Sequence, residues 1–130
     1  WLGVTRDGRF AAVTNYREAR TVNPPPRSRG DLVRDYLLAQ ASASDFVQSL
    51  PAHAADYGGF NLLCGDRQSL WWYSNRGGPP RQLVVLLHGV GADGQALIAL
   101  APMLARDLPY ARFVAPNRSG PKIEQQKMPR

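Results

Sequence analysis

Three places in this sequence hold residues whose types and spacing could do chemistry. The first is His88-Gly89-Val90-Gly91-Ala92-Asp93-Gly94, which follows directly on the apolar run Leu-Val-Val-Leu-Leu at 83–87. Glycines behind a strand let the backbone turn tightly and aim an N–H at a centre of negative charge. Phosphate binding is excluded by spacing: a Walker loop needs Gly-Lys-Ser/Thr, and a dinucleotide fingerprint needs a third glycine where Gly94 does not fall. Asp93 has no companion cluster for a metal, so it is expected to cap a helix or bond within the loop. The second place is Cys64, the only cysteine. It sits in an apolar stretch and is expected to be a small buried side chain. A lone cysteine also excludes an intramolecular disulfide framework and a Cys-rich zinc site. The third comprises His53 and Ser74-Asn75. His53 lies among alanines with no identifiable nucleophile or orienting acid, so a surface or half-buried role is expected. Ser74-Asn75 reads as a turn.

The elements that must position these residues follow from local patterns. Residues 1–5 and 9–15 read as two strands joined by Arg6-Asp7-Gly8, whose glycine is ready for positive φ. Residues 16–29 contain Pro24-Pro25-Pro26 and cannot be helix or central strand. Ser28 is placed to cap a helix over about 30–40, with Asp31 near its N-terminus and Leu32, Val33, Tyr36 and Leu37 on one side. Ser42 or Ser44 caps a second helix carrying Phe46, Val47 and Leu50, which Pro51 interrupts. Residues 60–64 and 69–74 form a second hairpin, with Trp71, Trp72 and Tyr73 on its strand faces. Arg76-Gly-Gly-Pro-Pro80 cannot propagate a helix or a sheet and marks a boundary. Beyond it, 83–87 reads as a strand buried on both faces of a parallel sheet. A helix is expected over 95–107, kinked at Pro102, and a further strand over 111–115. Strand, turn, helix and strand make a βαβ unit.

Composition excludes whole classes. At 44% hydrophobic and 20% charged residues the chain is globular rather than disordered. The five-residue run at 83–87 is too short to span a bilayer, and the opening at Trp1 shows no secretory signal. A cytoplasmic location is therefore the default expectation. The net charge of +6 invites a nucleic-acid reading. Its distribution argues against one. Residues 118–130 carry Arg118, Lys122, Lys127 and Arg130 against Glu124, half of the net charge. Elsewhere the arginines stand beside acids, as in Arg34-Asp35 and Asp66-Arg67, which is a solvated mixed surface. No nucleic-acid partner, cofactor or metal is expected.

The motifs of the first segment resemble the NRDE family, the transport and Golgi organisation protein type. They are Trp1-Leu-Gly-Val, the stretch from Gly8 to Arg17, Ser28-Arg-Gly-Asp-Leu-Val33, Tyr57-Gly-Gly-Phe-Asn-Leu-Leu63 and Tyr73-Ser-Asn-Arg76. That resemblance implies a partial N-terminal-nucleophile-hydrolase-like sandwich of the α+β class, and a role in secretory organisation with haem or lipid handling. The family's Asn-Arg-Asp-Glu motif and its N-terminal cysteine are absent, so the resemblance begins inside the family pattern and the true N-terminus is expected upstream. Cys64 cannot replace the missing cysteine, because an N-terminal nucleophile uses its own free α-amine as base.

The second segment resembles the phospholipase/carboxylesterase branch of the α/β-hydrolases, through 83–94, Ala99-Leu-Ala-Pro102 and Phe113-Val-Ala-Pro-Asn117. The resemblance makes His88, Gly89, Val90, Gly91 and Asp93 an oxyanion-loop remnant. Val90 would supply the N–H, and His88 would shape the loop rather than act as base. The rest of the catalytic set is missing: no Gly-x-Ser-x-Gly elbow occurs, and no histidine follows His88. The expectation is a fusion of two partial domains, inactive as a hydrolase, with an acyl ester as substrate only where the full hydrolase is present. Its parts are an NRDE-like domain over 1–76, a Gly/Pro linker over 77–82, a partial α/β (βαβ) hydrolase unit over 83–117 and a disordered basic tail over 118–130. Each part lacks strands of its sheet, so exposed edges and marginal stability are expected.

Overall fold

Gly8 makes the first turn possible. Its φ of +90° is open to glycine and strained for other residues. The turn closes through the Thr5 amide donating to the Arg9 carbonyl (2.9 Å) and the Gly8 amide to the Thr5 carbonyl (3.2 Å). It joins β1 (Leu2–Val4) to β2 (Phe10–Asn15) as the expected antiparallel hairpin. The computed structural model describes residues 1–17, 24–90, 93–117 and 123–125, and these divide into two compact units at Pro80/Arg81.

In the first unit, β3 (Phe60–Gly65) pairs antiparallel with β2, and β4 (Leu70–Ser74) pairs antiparallel with β3. The register sets Ala11 opposite Cys64 and Val13 opposite Leu62, with Leu62 opposite Tyr73. Strand alternation turns Ala11, Val13, Phe60, Leu62, Cys64 and Tyr73 into one buried face. That face is covered by α1 (Arg29–Leu38), α2 (Ala43–Ser49) and a 3-10 helix (Leu50–Asp56). Both predicted serine caps form. Ser28 Oγ accepts from the Gly30 amide (3.2 Å), and Ser42 Oγ accepts from the Asp45 amide (3.1 Å). Pro51 ends α2 as expected, because it enters the first turn of the 3-10 helix where its missing N–H is tolerated. The edge-to-face contact of Phe60 with Tyr57 (5.9 Å) joins the sheet to the end of the 3-10 helix, and that with Tyr73 (5.7 Å) packs β3 against β4.

The second unit contains β5 (Arg81–Val85), α3 (Gly94–Ile98), α4 (Ala101–Leu104), β6 (Arg112–Pro116) and β7 (Ile123–Gln125). β5 and β6 are parallel, from Leu83 opposite Arg112 to Val85 opposite Val114, so the βαβ pattern is present. Ala101, Ala111 and Phe113 form the core, with Val84, Ile98, Leu104 and Leu108 packed on it.

Four expectations are corrected here. The strand runs over 81–85 rather than 83–87, and its parallel ladder with β6 ends at the pair Val85 and Val114. It is also not buried on both faces: the pleat sends Val84 toward the helices and leaves Val85 39% and Leu87 77% exposed. The single kinked helix over 95–107 is two short helices, since Pro102 has no N–H for Ile98 to accept and instead starts α4. Finally, part of the tail expected to be disordered is a strand, as Ile123–Gln125 pairs antiparallel with Val114–Pro116. A parallel pair leaves the outer edge of β6 open, and β7 fills it. The remaining tail residues lie outside the described residues.

Candidate functional site

The glycine-rich turn leaves β5 where the Leu86 amide donates to the Val114 carbonyl at 2.8 Å. His88 is half-buried, and its Nδ1 lies 3.0 Å from the Gly89 carbonyl oxygen. A carbonyl oxygen only accepts, so this contact keeps a proton on Nδ1 and fixes the ring against its own loop. Gly89 is exposed, with nothing within 4 Å of where a Cβ would stand. Val90 is 100% exposed at the tip. Gly91 lies outside the described residues. Asp93 is exposed, and its carboxylate accepts from the Ala96 amide at 2.8 Å, capping α3. Of the two roles open to Asp93, the cap is the one it plays. Among the described residues, no group of three His, Cys, Asp or Glu is arranged to hold a metal ion.

Two partners of this turn were not legible in the sequence. Asn117 Oδ1 accepts from the Gly94 amide at 2.8 Å. A Cβ on Gly94 would stand 2.6 Å from the Ala115 carbonyl oxygen and 3.0 Å from that of Pro116. Gly94 is therefore glycine for close approach to β6, and its φ is not positive. Only an asparagine just past an apolar strand pointed to this contact, and that is an ordinary turn signal.

The first unit places the other chemistry-bearing residues in structural roles. Cys64 is fully buried in β3, and burial pushes its thiol up to about 12, with the nearby Arg9 charge opposing only in part. Such a thiol is neither a nucleophile nor a metal ligand at neutral pH. His53 is exposed on the 3-10 helix. Asn75 closes a polar knot. Its Oδ1 accepts from the Phe60 amide (2.9 Å), and its Nδ2 donates to the carbonyls of Ala54 (3.0 Å), Gly58 (3.3 Å) and Tyr57 (3.4 Å). Ser74 Oγ donates to the Phe60 carbonyl at 2.9 Å. Arg9, unremarked in the sequence, donates to the carbonyls of Tyr36 (2.7 Å) and Ala41 (3.0 Å) beyond the end of α1 and lies 4.2 Å from the Tyr36 ring centroid.

A family model described as Transport and Golgi organisation 2 matches residues 1–99. The chain belongs to that family. The Transport and Golgi organization protein 2 homolog of Bos taurus is 34% identical over 103 residues, which are 75% of this chain and 36% of the relative. The Homo sapiens homolog is 30% identical over a stretch of the same extent. The chain thus spans 36% of the length of these curated relatives. A second family model, Phospholipase/Carboxylesterase, matches residues 74–130. The two matches overlap over residues 74–99. Both matches are wider than the resemblances read from motifs: the first runs past 76 to 99, and the second starts at 74 rather than 83 and takes in the basic tail.

No helix among the described residues is long and apolar enough to cross a membrane.

Proposed function

We propose that this chain is a non-catalytic member of the Transport and Golgi organisation 2 family, acting in secretory organisation with haem or lipid as the handled chemistry. In this reading residues 1–76 are part of an N-terminal-nucleophile-hydrolase-like sandwich. The helical layer over one face of the four-stranded antiparallel sheet supports it. Residues 77–80 are a linker, since Arg81 and Gln82 already belong to β5; residues 81–117 are the opening βαβ unit of an α/β-hydrolase, and 118–130 are a basic extension. The parallel pairing of β5 with β6 and the division at Pro80/Arg81 support that part.

One observation carries the non-catalytic reading. The turn at His88–Asp93 has the composition and position of an oxyanion loop, yet the 130 residues contain no Gly-x-Ser-x-Gly elbow and no histidine after His88. A donor without a nucleophile forms no acyl-enzyme and gives little acceleration. The phospholipase/carboxylesterase match favours a second reading, hydrolysis of acyl esters. Assay of the purified chain with a p-nitrophenyl acyl ester separates the two. Release equal to a heat-denatured control is expected. Turnover well above that control overturns the proposal in favour of the hydrolase.

A further inference from the structure

The glycine-rich turn is tied at its start to β6 and at its exit to the residue that follows β6. At its start the Leu86 amide donates to Val114, and at its exit the Gly94 amide donates to the Asn117 side chain, each at 2.8 Å. The exit tie comes from far along the chain. The first amides of a helix have no partner within the helix and are met by capping side chains, water or other groups. In α3 the Asp93 carboxylate takes the Ala96 amide, and the Gly94 amide goes to a side chain 23 residues further along the chain. The missing Cβ of Gly94 is what allows α3 to start against the Ala115 and Pro116 carbonyls.

We infer that Asn117 is a positioning residue, which holds Asp93 and the start of α3 against the C-terminal end of β6 and so sets where the turn at His88–Val90 stands. Its relevance to chemistry rests on the reading of that turn as an oxyanion-type loop, while the tie itself rests on the geometry alone. Val114, within β6, and Asn117, the residue that follows that strand, act as two pegs three residues apart. Any shift of the Asn117 peg moves the exit of the turn while its start stays paired. Neither peg touches a reacting group, so the effect is one of placement.

Residue-resolved amide exchange on the whole chain tests this. Asn117→Ala is expected to speed exchange at Gly94 by roughly 2- to 12-fold, the loss of one neutral hydrogen bond. The Phe113 amide, inside β6, should be unchanged. Asn117→Asp keeps an acceptor oxygen and should retain the protection at Gly94. The backbone order of Val90, read by heteronuclear NOE, should fall in the Ala variant and recover in the Asp variant. Unchanged Gly94 protection in Asn117→Ala overturns the inference. So does an Asp variant that behaves like the Ala variant. If Asn117→Ala fails to fold, a folded Asn117→Asp with Gly94 protected supports the tie, and an unfolded one overturns it. Ester turnover by the unsubstituted chain would defeat the non-catalytic reading and leave these exchange results standing.

Discussion

Replacing Asn75 by Ala removes a side chain that satisfies backbone groups from two elements at once. The Phe60 amide belongs to a residue with no exposed surface, so water cannot replace the lost acceptor. An unpaired buried donor costs about 1–3 kcal/mol, and loss of the bond to the Ala54 carbonyl adds roughly 0.5–1.5 kcal/mol. The contacts to Tyr57 (3.4 Å) and Gly58 (3.3 Å) are long and shared by the same Nδ2, and they add little to this sum. The loss is then about 1.5–4.5 kcal/mol, a large share of a small domain's stability. At roughly 4 °C or more per kcal/mol, the melting midpoint falls by at least about 6 °C. All three tryptophans, Trp1, Trp71 and Trp72, lie in the first unit, so their fluorescence follows that unit's unfolding. Asn75→Asp is expected to be no better than Asn75→Ala: it keeps an acceptor for Phe60 but turns a carboxylate oxygen toward the Ala54, Tyr57 and Gly58 carbonyls. A midpoint for Asn75→Ala within about 2 °C of the parent would refute the reasoning.

Other consequences follow from the same geometry. Burial works against ionisation of Asp66, but amides of Ala43, Gln68 and Ser69 donate to it and, with Arg9 nearby, hold its pKa below the usual carboxylate value. A depressed folded pKa gives stability that is present above the unfolded value near ~3.9 and lost as pH falls through the folded value. The urea midpoint of the first unit should thus hold between about pH 7 and 5 and drop below about pH 4, with a shallower acid drop in Asp66→Asn; identical acid profiles would count against this role. Gly8→Val forces a β-branched residue to a φ of +90° and should cost about 1–2 kcal/mol, read as a lower urea midpoint. The Cys64 thiol, buried and pushed up to about 12, should resist a disulfide reagent at pH 8 until urea unfolds the unit, and rapid stoichiometric labelling of the native chain would contradict that.

Rules that act over a few residues were legible in the sequence. The glycine at Gly8, the caps at Ser28 and Ser42, the break at Pro51 and the two hairpins all depend on neighbours within about four positions, and each forms as read. The turn at His88–Asp93 was legible for the same reason, down to the cap made by Asp93. Where the reading failed, the deciding partner was distant. Burial of 83–87 on both faces was inferred from apolarity alone, yet burial depends on which layers exist to cover a strand. The helix over 95–107 is the exception: Pro102 acts only four residues from Ile98, and its local effect is a break where the periodicity pointed to a kink.

The side chains that hold the candidate site and the core together belong to the second kind. Asn75 reaches Phe60 across 15 residues, Arg9 reaches Tyr36 across 27, and Asn117 reaches Gly94 across 23. Asparagine and arginine are common at surfaces and turns, so their types alone do not announce such roles. By itself, the sequence determined where this chain turns, which residues cap its helices, and which catalytic groups it does not contain. Only the tertiary structure decided which backbone groups those long polar side chains would satisfy, because a hydrogen bond is specified by atoms meeting in space, and that meeting depends on the packing of every element between them.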